Sequence, residues 1–273
     1  MAKIDRLGWA DGMSFISYGV RVGVRVNEPA ILERLIQRLP PGSKPMSFQT
    51  VDHLYSVIGN DGQSESRIRR FNLAYWNLLR IARSRLFEDV LDAFESHSQL
   101  TIAEYAKDRL FIHAGVVGWK DWAILIPGLS HSGKTTLVDR LIRAGATYYS
   151  DEYAVLDARG RVHPYPRPLG VRSEQSLITR RVAAEEIGAQ VGRKPLRVGL
   201  ILSTRYQGEA RWHPRRLTPG KGVLELMANT VSARSQPQLA LTILPKAVES
   251  ATILKGIRGD AGEVVEAILN LRP

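Results

Sequence analysis

Cysteine is absent from the 273-residue chain, and that single absence excludes a disulfide framework, a thiol nucleophile, a thiolate zinc site and an iron–sulfur cluster. Long apolar runs are missing as well. No stretch approaches the roughly 18 uninterrupted apolar residues of a membrane span, and Met1 to Trp9 lack the apolar core of a secretory signal, so no membrane partner is expected and the cytoplasm is the expected compartment. His-Glu-x-x-His and Gly-x-Ser-x-Gly do not occur, and no histidine–carboxylate set stands at metal-ligand spacing, which leaves hydrolytic zinc and serine chemistry without support.

What is present begins with charge. Lys and Arg number 38 against 27 acidic residues, a formal surplus of +11. Such a surplus favours a polyanionic partner: nucleic acid, anionic lipid, an acidic peptide or a nucleotide. With 44% hydrophobic residues the chain can bury a core, and its length suits one large domain or two modest ones.

Phe15 to Val26 reads as a strand with one wet face, since Val20, Val22, Val24 and Val26 alternate with Arg21 and Arg25. A helix follows over Ile31 to Leu39, opened by Pro29 and closed by Pro40-Pro41-Gly42, and His53 to Ile58 reads as a second strand. Residues 71 to 107 are expected to be helical, with Leu78, Leu79, Leu86, Val90, Leu91 and Phe94 supplying the period. Phe111–Val117 and Trp122–Pro127 are apolar runs parted by Gly118-Trp119-Lys120-Asp121, the pattern of a buried hairpin. A boundary near residue 105 divides an N-terminal α/β domain (1–105), a candidate for substrate or partner binding, from a nucleotide-binding domain (106–273) with a mixed sheet.

Directly after the second run comes Gly128-Leu-Ser130-His-Ser132-Gly133-Lys134-Thr135, followed by Thr136 and the helix that ends at Gly145. This is G-x-x-x-x-G-K-[ST] between a strand and a helix. Glycines let backbone N–H groups curl round phosphate oxygens, and the helix N-terminus contributes its positive dipole end. Lys134 reaches the β- and γ-phosphates in such a loop, and the Thr135 hydroxyl serves Mg²⁺. Beyond the helix, Thr147–Ser150 reads as a strand that delivers Asp151 and Glu152. A carboxylate there can bind Mg²⁺ or accept a hydroxyl proton; the alternative reading of Asp151, Glu152 and the later Asp157 is as turn caps.

In this order Ile112-His113-Ala114-Gly115-Val116-Val117, the loop, and Tyr149-Ser150-Asp151-Glu152 resemble the HPr kinase/phosphorylase family and its HPr kinase-related kinases. His113 precedes Lys134 by 21 residues and Asp151 follows it by 17, the register of that family. The resemblance covers roughly residues 110 to 175. It implies a P-loop kinase fold, ATP and Mg²⁺ as cofactors, Lys134 on the phosphates, Thr135, Asp151 and Glu152 on the metal, Asp151 as the base, and His113 beside the transferring phosphate. The loop continues Lys-Thr-Thr where HPr kinases usually carry Lys-Ser-Glu, and no Glu-x-Arg-Gly signature follows, so phosphorolysis and HPr itself as acceptor are not implied. His163-Pro-Tyr-Pro-Arg167-Pro-Leu-Gly-Val-Arg172 resembles relatives found beside peptide-modification genes. This makes a serine of a peptide or protein the leading acceptor, with a small-molecule kinase or a nucleotide-gated ATPase as alternatives.

Two basic clusters remain. Arg67, Arg69, Arg70, Arg80, Arg83 and Arg85, interleaved with Phe71, Tyr75 and Trp76, read as a solvated helix face whose best candidate partner is an acidic peptide rather than nucleic acid. The second, Arg205 to Lys221, follows a core strand. Arg205 and Arg211 there compete with Arg167 and Arg172 to assist transfer. A homo-oligomer is a further expectation.

Overall fold

The computed structural model describes residues 3–59, 71–128, 132–172 and 179–271. Over them the chain is mixed α/β and divides into two compact units, Met1–Lys107 and Asp108–Pro273. Among the described residues no helix is long and apolar enough to cross a membrane.

The first unit runs β1 (Asp11–Ser17), β2 (Val20–Val26), α1 (Pro29–Ile36), β3 (Lys44–Pro45), β4 (His53–Ile58), β5 (Asn72–Trp76), β6 (Leu79–Ser84) and α2 (Phe87–Tyr105). Its strands form one sheet in the order β3-β1-β2-β4-β5-β6. The period-2 alternation expected for residues 20–26 is there, with all four valines buried. The single strand over Phe15–Val26 is not: Tyr18 and Gly19 both adopt positive φ, 47° and 82°, and fold the segment into an antiparallel hairpin that pairs Ser17 with Val20.

The helix expected over residues 71 to 107 is also corrected. Its first part is the β5–β6 hairpin, turned at Asn77, where φ is 51°, and held to β4 through Tyr55–Trp76 and Val57–Ala74 pairing. Leu78, Leu79 and Leu86 counted toward a buried helical stripe, yet they are 70%, 60% and 67% exposed. Only from Phe87 does helical period coincide with burial, and α2 then runs unbroken through His97-Ser98-Gln99. The basic face is therefore no helix face. Arg80 and Arg83 lie on the sheet's last strand, Arg83 and Arg85 stack on Phe71 at 4.0 and 5.6 Å, and Arg67, Arg69 and Arg70 lie outside the described residues.

The second unit runs β7 (Leu110–Trp119), β8 (Trp122–Pro127), α3 (Lys134–Arg143), β9 (Thr147–Ser150), β10 (Tyr153–Leu156), β11 (Val162–His163), β12 (Leu169–Arg172), β13 (Thr179–Val182), β14 (Arg197–Tyr206), β15 (Arg215–Arg216), α4 (Pro219–Met227), α5 (Pro237–Val248), β16 (Thr252–Arg258) and α6 (Ala261–Leu269). Its main sheet follows the order β11-β10-β7-β8-β14-β16-β15, with β9 also on β7. Pairing is parallel between β8, β14 and β16 and antiparallel elsewhere. Side chains alternate between two cores, with one shift of phase on β14 between Val198 and Leu200. Ala123 and Leu125 of β8 and Ile201 of β14 pack with α4 and α5, whereas Ile124, Ile126 and Leu202 pack with α3 and α6. A strand covered on both faces has to read as a continuous apolar run, which is how β7 and β8 look in the sequence.

Gly115 on β7 fixes how closely α3 approaches. A Cβ at that position would lie 2.6 Å from Val138 Cγ2 and 3.8 Å from Lys134 Cβ, so the helix that carries the loop packs against bare backbone. Gly115→Ala is expected to cost about 1–3 kcal/mol through overpacking, read as a lowered midpoint in urea; an unchanged midpoint would contradict this packing.

Candidate active site

The first turn of α3 leaves the N–H groups of Lys134, Thr135 and Thr136 without carbonyl partners inside the helix. Gly133, its N-cap, sits at φ 85°, a conformation only glycine takes without strain. A Cβ there would also lie 2.7 Å from Arg258 Nη2. The Lys134 ammonium donates to the Gly128 carbonyl across the mouth of the loop at 2.7 Å. The Ser132 hydroxyl is buried with no hydrogen-bond partner. Thr135 is half-buried and Thr136 exposed, while Ser130 lies outside the described residues. Helix amides without carbonyl partners inside the helix, an orphaned hydroxyl and a lysine ammonium at the loop's mouth form a cradle whose chemistry suits phosphate oxygens.

The backbone ties this loop to its neighbours along one edge of the sheet. Gly128 N–H donates to the His113 carbonyl at 3.2 Å, Ala114 N–H to the Glu152 carbonyl at 3.1 Å, and His113 N–H to the Asn229 carbonyl at 2.8 Å. His113, Lys134, Asp151 and Glu152, far apart in the sequence, thus come together. Tyr148 Oη is 3.1 Å from Asp151 Oδ1 and 2.9 Å from the Arg167 carbonyl. Glu152 stands 3.7 Å from His113 Nδ1 and 4.0 Å from Arg167 Nη1.

Electrostatics follow from this crowding. Burial pushes the Asp151 carboxyl above its ordinary range; Arg167 pulls it back, Glu152 adds to the rise, and the hydrogen bond from Tyr148 lowers it. Burial lowers Lys134, against the attraction of Glu152 and Asp151. His113 is lowered chiefly by burial, with Glu152 opposing and Lys134 assisting, so its ring is neutral near pH 7. A raised acid beside a lowered amine in one buried cluster is a pattern that functional sites share.

Asp157 does not join this group. Its Oδ1 accepts from the N–H groups of Arg159 and Arg161 at 2.9 and 3.0 Å, and His163 Nε2 lies 2.9 Å from Oδ2. Burial alone would raise it, but these partners hold it at about 2; the turn-cap reading fits. Arg205 lines a cavity beside the loop, Arg211 is exposed, and the side chain of Arg172 lies outside what the structure describes. Among the described residues no set of three His, Cys, Asp or Glu side chains could hold a metal unaided. Mg²⁺ characteristically takes one or two carboxylates and completes its shell with phosphate oxygens and water, which Thr135, Asp151 and Glu152 beside a nucleotide would suit.

One residue had no signal in the sequence. Arg258, at the end of β16, is 2% exposed and donates to the Gly133 carbonyl at 2.8 Å and the Gly259 carbonyl at 3.0 Å. Its guanidinium also lies 5.8 Å from the Tyr206 ring centroid. It holds the carbonyl of the residue that caps α3, and with it the geometry of the helix's first turn. Arg258→Met keeps the stem but removes the charged donor, leaving that carbonyl only the Leu137 N–H at 3.2 Å, and about 1–3 kcal/mol of stability is expected to go with it, together with faster amide exchange at 132–136. Unchanged exchange there would separate Arg258 from the loop. Compared with known proteins, the chain matches no protein family and no curated protein.

Proposed function

We propose that the second unit transfers the γ-phosphoryl group of ATP, with Mg²⁺, to a hydroxyl, and that the acceptor is a serine of a peptide or protein. The observation that supports this best is the junction of Lys134 and the Asp151–Glu152 pair at one sheet edge, fixed there by the His113 and Ala114 backbone bonds. A loop alone would serve a switch; a desolvated carboxyl within reach of the loop's lysine adds the means to take a proton.

In this reading the loop amides and Lys134 hold the β- and γ-phosphates, the ammonium exchanging the Gly128 carbonyl for phosphate oxygens. Bound Mg²⁺ would neutralise phosphate charge, with Thr135, Asp151 and Glu152 as its protein neighbours. Asp151 accepts the acceptor's hydroxyl proton while that oxygen bonds to the γ-phosphorus and the bond to the β-phosphate oxygen breaks, releasing ADP. Tyr148 suits both states of the base. It donates to ionised Asp151, and once Asp151 is protonated it can accept from it while donating to the Arg167 carbonyl. Neutral His113 lines the site without adding charge. The small-molecule alternative keeps every one of these roles and is favoured by the cavity beside the loop, about 710 Å³, a volume typical of small-ligand sites.

Asp151→Asn is expected to lower the transfer rate by about 10²–10⁴ while the Kd for MgATP stays within a few-fold, and Lys134→Ala to weaken nucleotide binding itself. Full transfer by Asp151→Asn would remove the mechanism. Because Asp151 must be ionised to act and burial raises it, activity should climb with pH over a range above the ordinary carboxylate value of about 4. A wild-type rate already at its plateau near pH 4 would contradict a desolvated base.

A further inference from the structure

The cavity beside the loop shares Gly128 and Ser132 with it and extends along the ends of β14 and β16. Its lining is cationic: Arg205, Arg215 and Lys255, with His213 beside them. The carboxylate that meets these groups is Glu225, which pairs with Lys255 and accepts from the Ser203 hydroxyl at 2.6 Å. Arg215 also acts on Glu225, so this one carboxylate answers two of the three cations in the lining. Two hydroxyls in the same lining, Ser132 Oγ and Thr204 Oγ1, are buried with no hydrogen-bond partner, and Thr204 is 8% exposed. A buried hydroxyl without a partner costs free energy unless something binds it. Among the described lining residues there is no Phe, Tyr or Trp to stack on a base, and the loop with Lys134 already supplies donors for the nucleotide's phosphates.

We propose that this cavity is an oxyanion subsite for the phosphoacceptor, taking a carboxylate or phosphate group carried by the same molecule that presents the hydroxyl. Arg215 and Lys255 provide the charge, and the unpartnered Thr204 and Ser132 hydroxyls buried in the wall are available as donors. The proposal rests on the phosphotransfer reading for its purpose, but not for its binding chemistry, which any small oxyanion can report. Seating an anionic group here would anchor the acceptor next to the loop, and a neutral acceptor would lose that anchor.

The test uses the full chain with inorganic phosphate and, separately, malonate as probes, followed by calorimetry with and without a saturating non-hydrolysable ATP analogue. Wild type should bind an oxyanion whether or not the nucleotide is present. Arg215→Gln, at an exposed position where folding is not at risk, should weaken that binding about tenfold, the loss of one charge-assisted hydrogen bond. Arg215→Lys should recover part of it, and nucleotide affinity should stay unchanged in both. Lys134→Ala should do the reverse, weakening the nucleotide and sparing the probe. Preference for malonate would identify a carboxylate acceptor, and preference for phosphate a phosphorylated one. The proposal is overturned if Arg215→Gln leaves both probes unaffected, if saturating nucleotide abolishes their binding, or if Lys134→Ala removes probe and nucleotide together. A wild-type protein that binds the probes in this Arg215-dependent way but binds no nucleotide would sink the kinase reading and leave the subsite standing.

Discussion

Backbone groups at the end of a sheet have no next residue in register to pair with, and buried ones must still find partners. In the second unit this requirement is met midway along β7, where its ladders with β10 and β8 end: the His113 carbonyl takes the Gly128 N–H and the Ala114 N–H goes to the Glu152 carbonyl. Two loops that the chain could have left independent are thereby fixed to one strand. One carries Lys134 and the first amides of α3; the other carries the two carboxylates. That shared anchorage brings the Glu152 carboxylate close enough to act on His113, Lys134 and Asp151.

The two faces of the sheet serve this edge differently. On one, α3 presses against the bare backbone of Gly115 and brings its N-terminus to the end of β8. On the other, the end of α4 supplies Asn229, whose carbonyl accepts from His113 and which closes one side of the cationic cavity. Arg258 reaches in from β16 to hold the Gly133 carbonyl. A buried guanidinium is costly unless its donors are used, and spending two of them on backbone carbonyls converts that cost into a fixed loop geometry.

The strand and helix that flank residues 128–133 were legible in the sequence because each writes its own period, and Gly133 because its positive φ favours glycine. The strands β7 and β8 were legible because burial on both faces leaves little room for polar residues. Residues 71 to 86 were not. Leu78, Leu79 and Leu86 fall at helical spacing but point to water, and Asn77 marks a turn through its φ rather than through hydropathy. Likewise Tyr18-Gly19 divides what alternation alone joins. Arg258 was invisible for another reason: its partner Gly133 lies 125 residues away in the chain, and no local pattern announces so distant a contact. The cationic cavity likewise draws on several separate segments, β8, β14 and β16 among them, and exists only once the sheet is assembled.

The account stands or falls on where the γ-phosphate goes. ATP labelled at that position, incubated with the full chain, Mg²⁺ and serine-containing peptides or small hydroxy acids, should yield a labelled acceptor, and Asp151→Asn should abolish the label while still binding nucleotide. Release of free phosphate as the sole product with every hydroxyl-bearing acceptor, at a rate indifferent to Asp151, would contradict it.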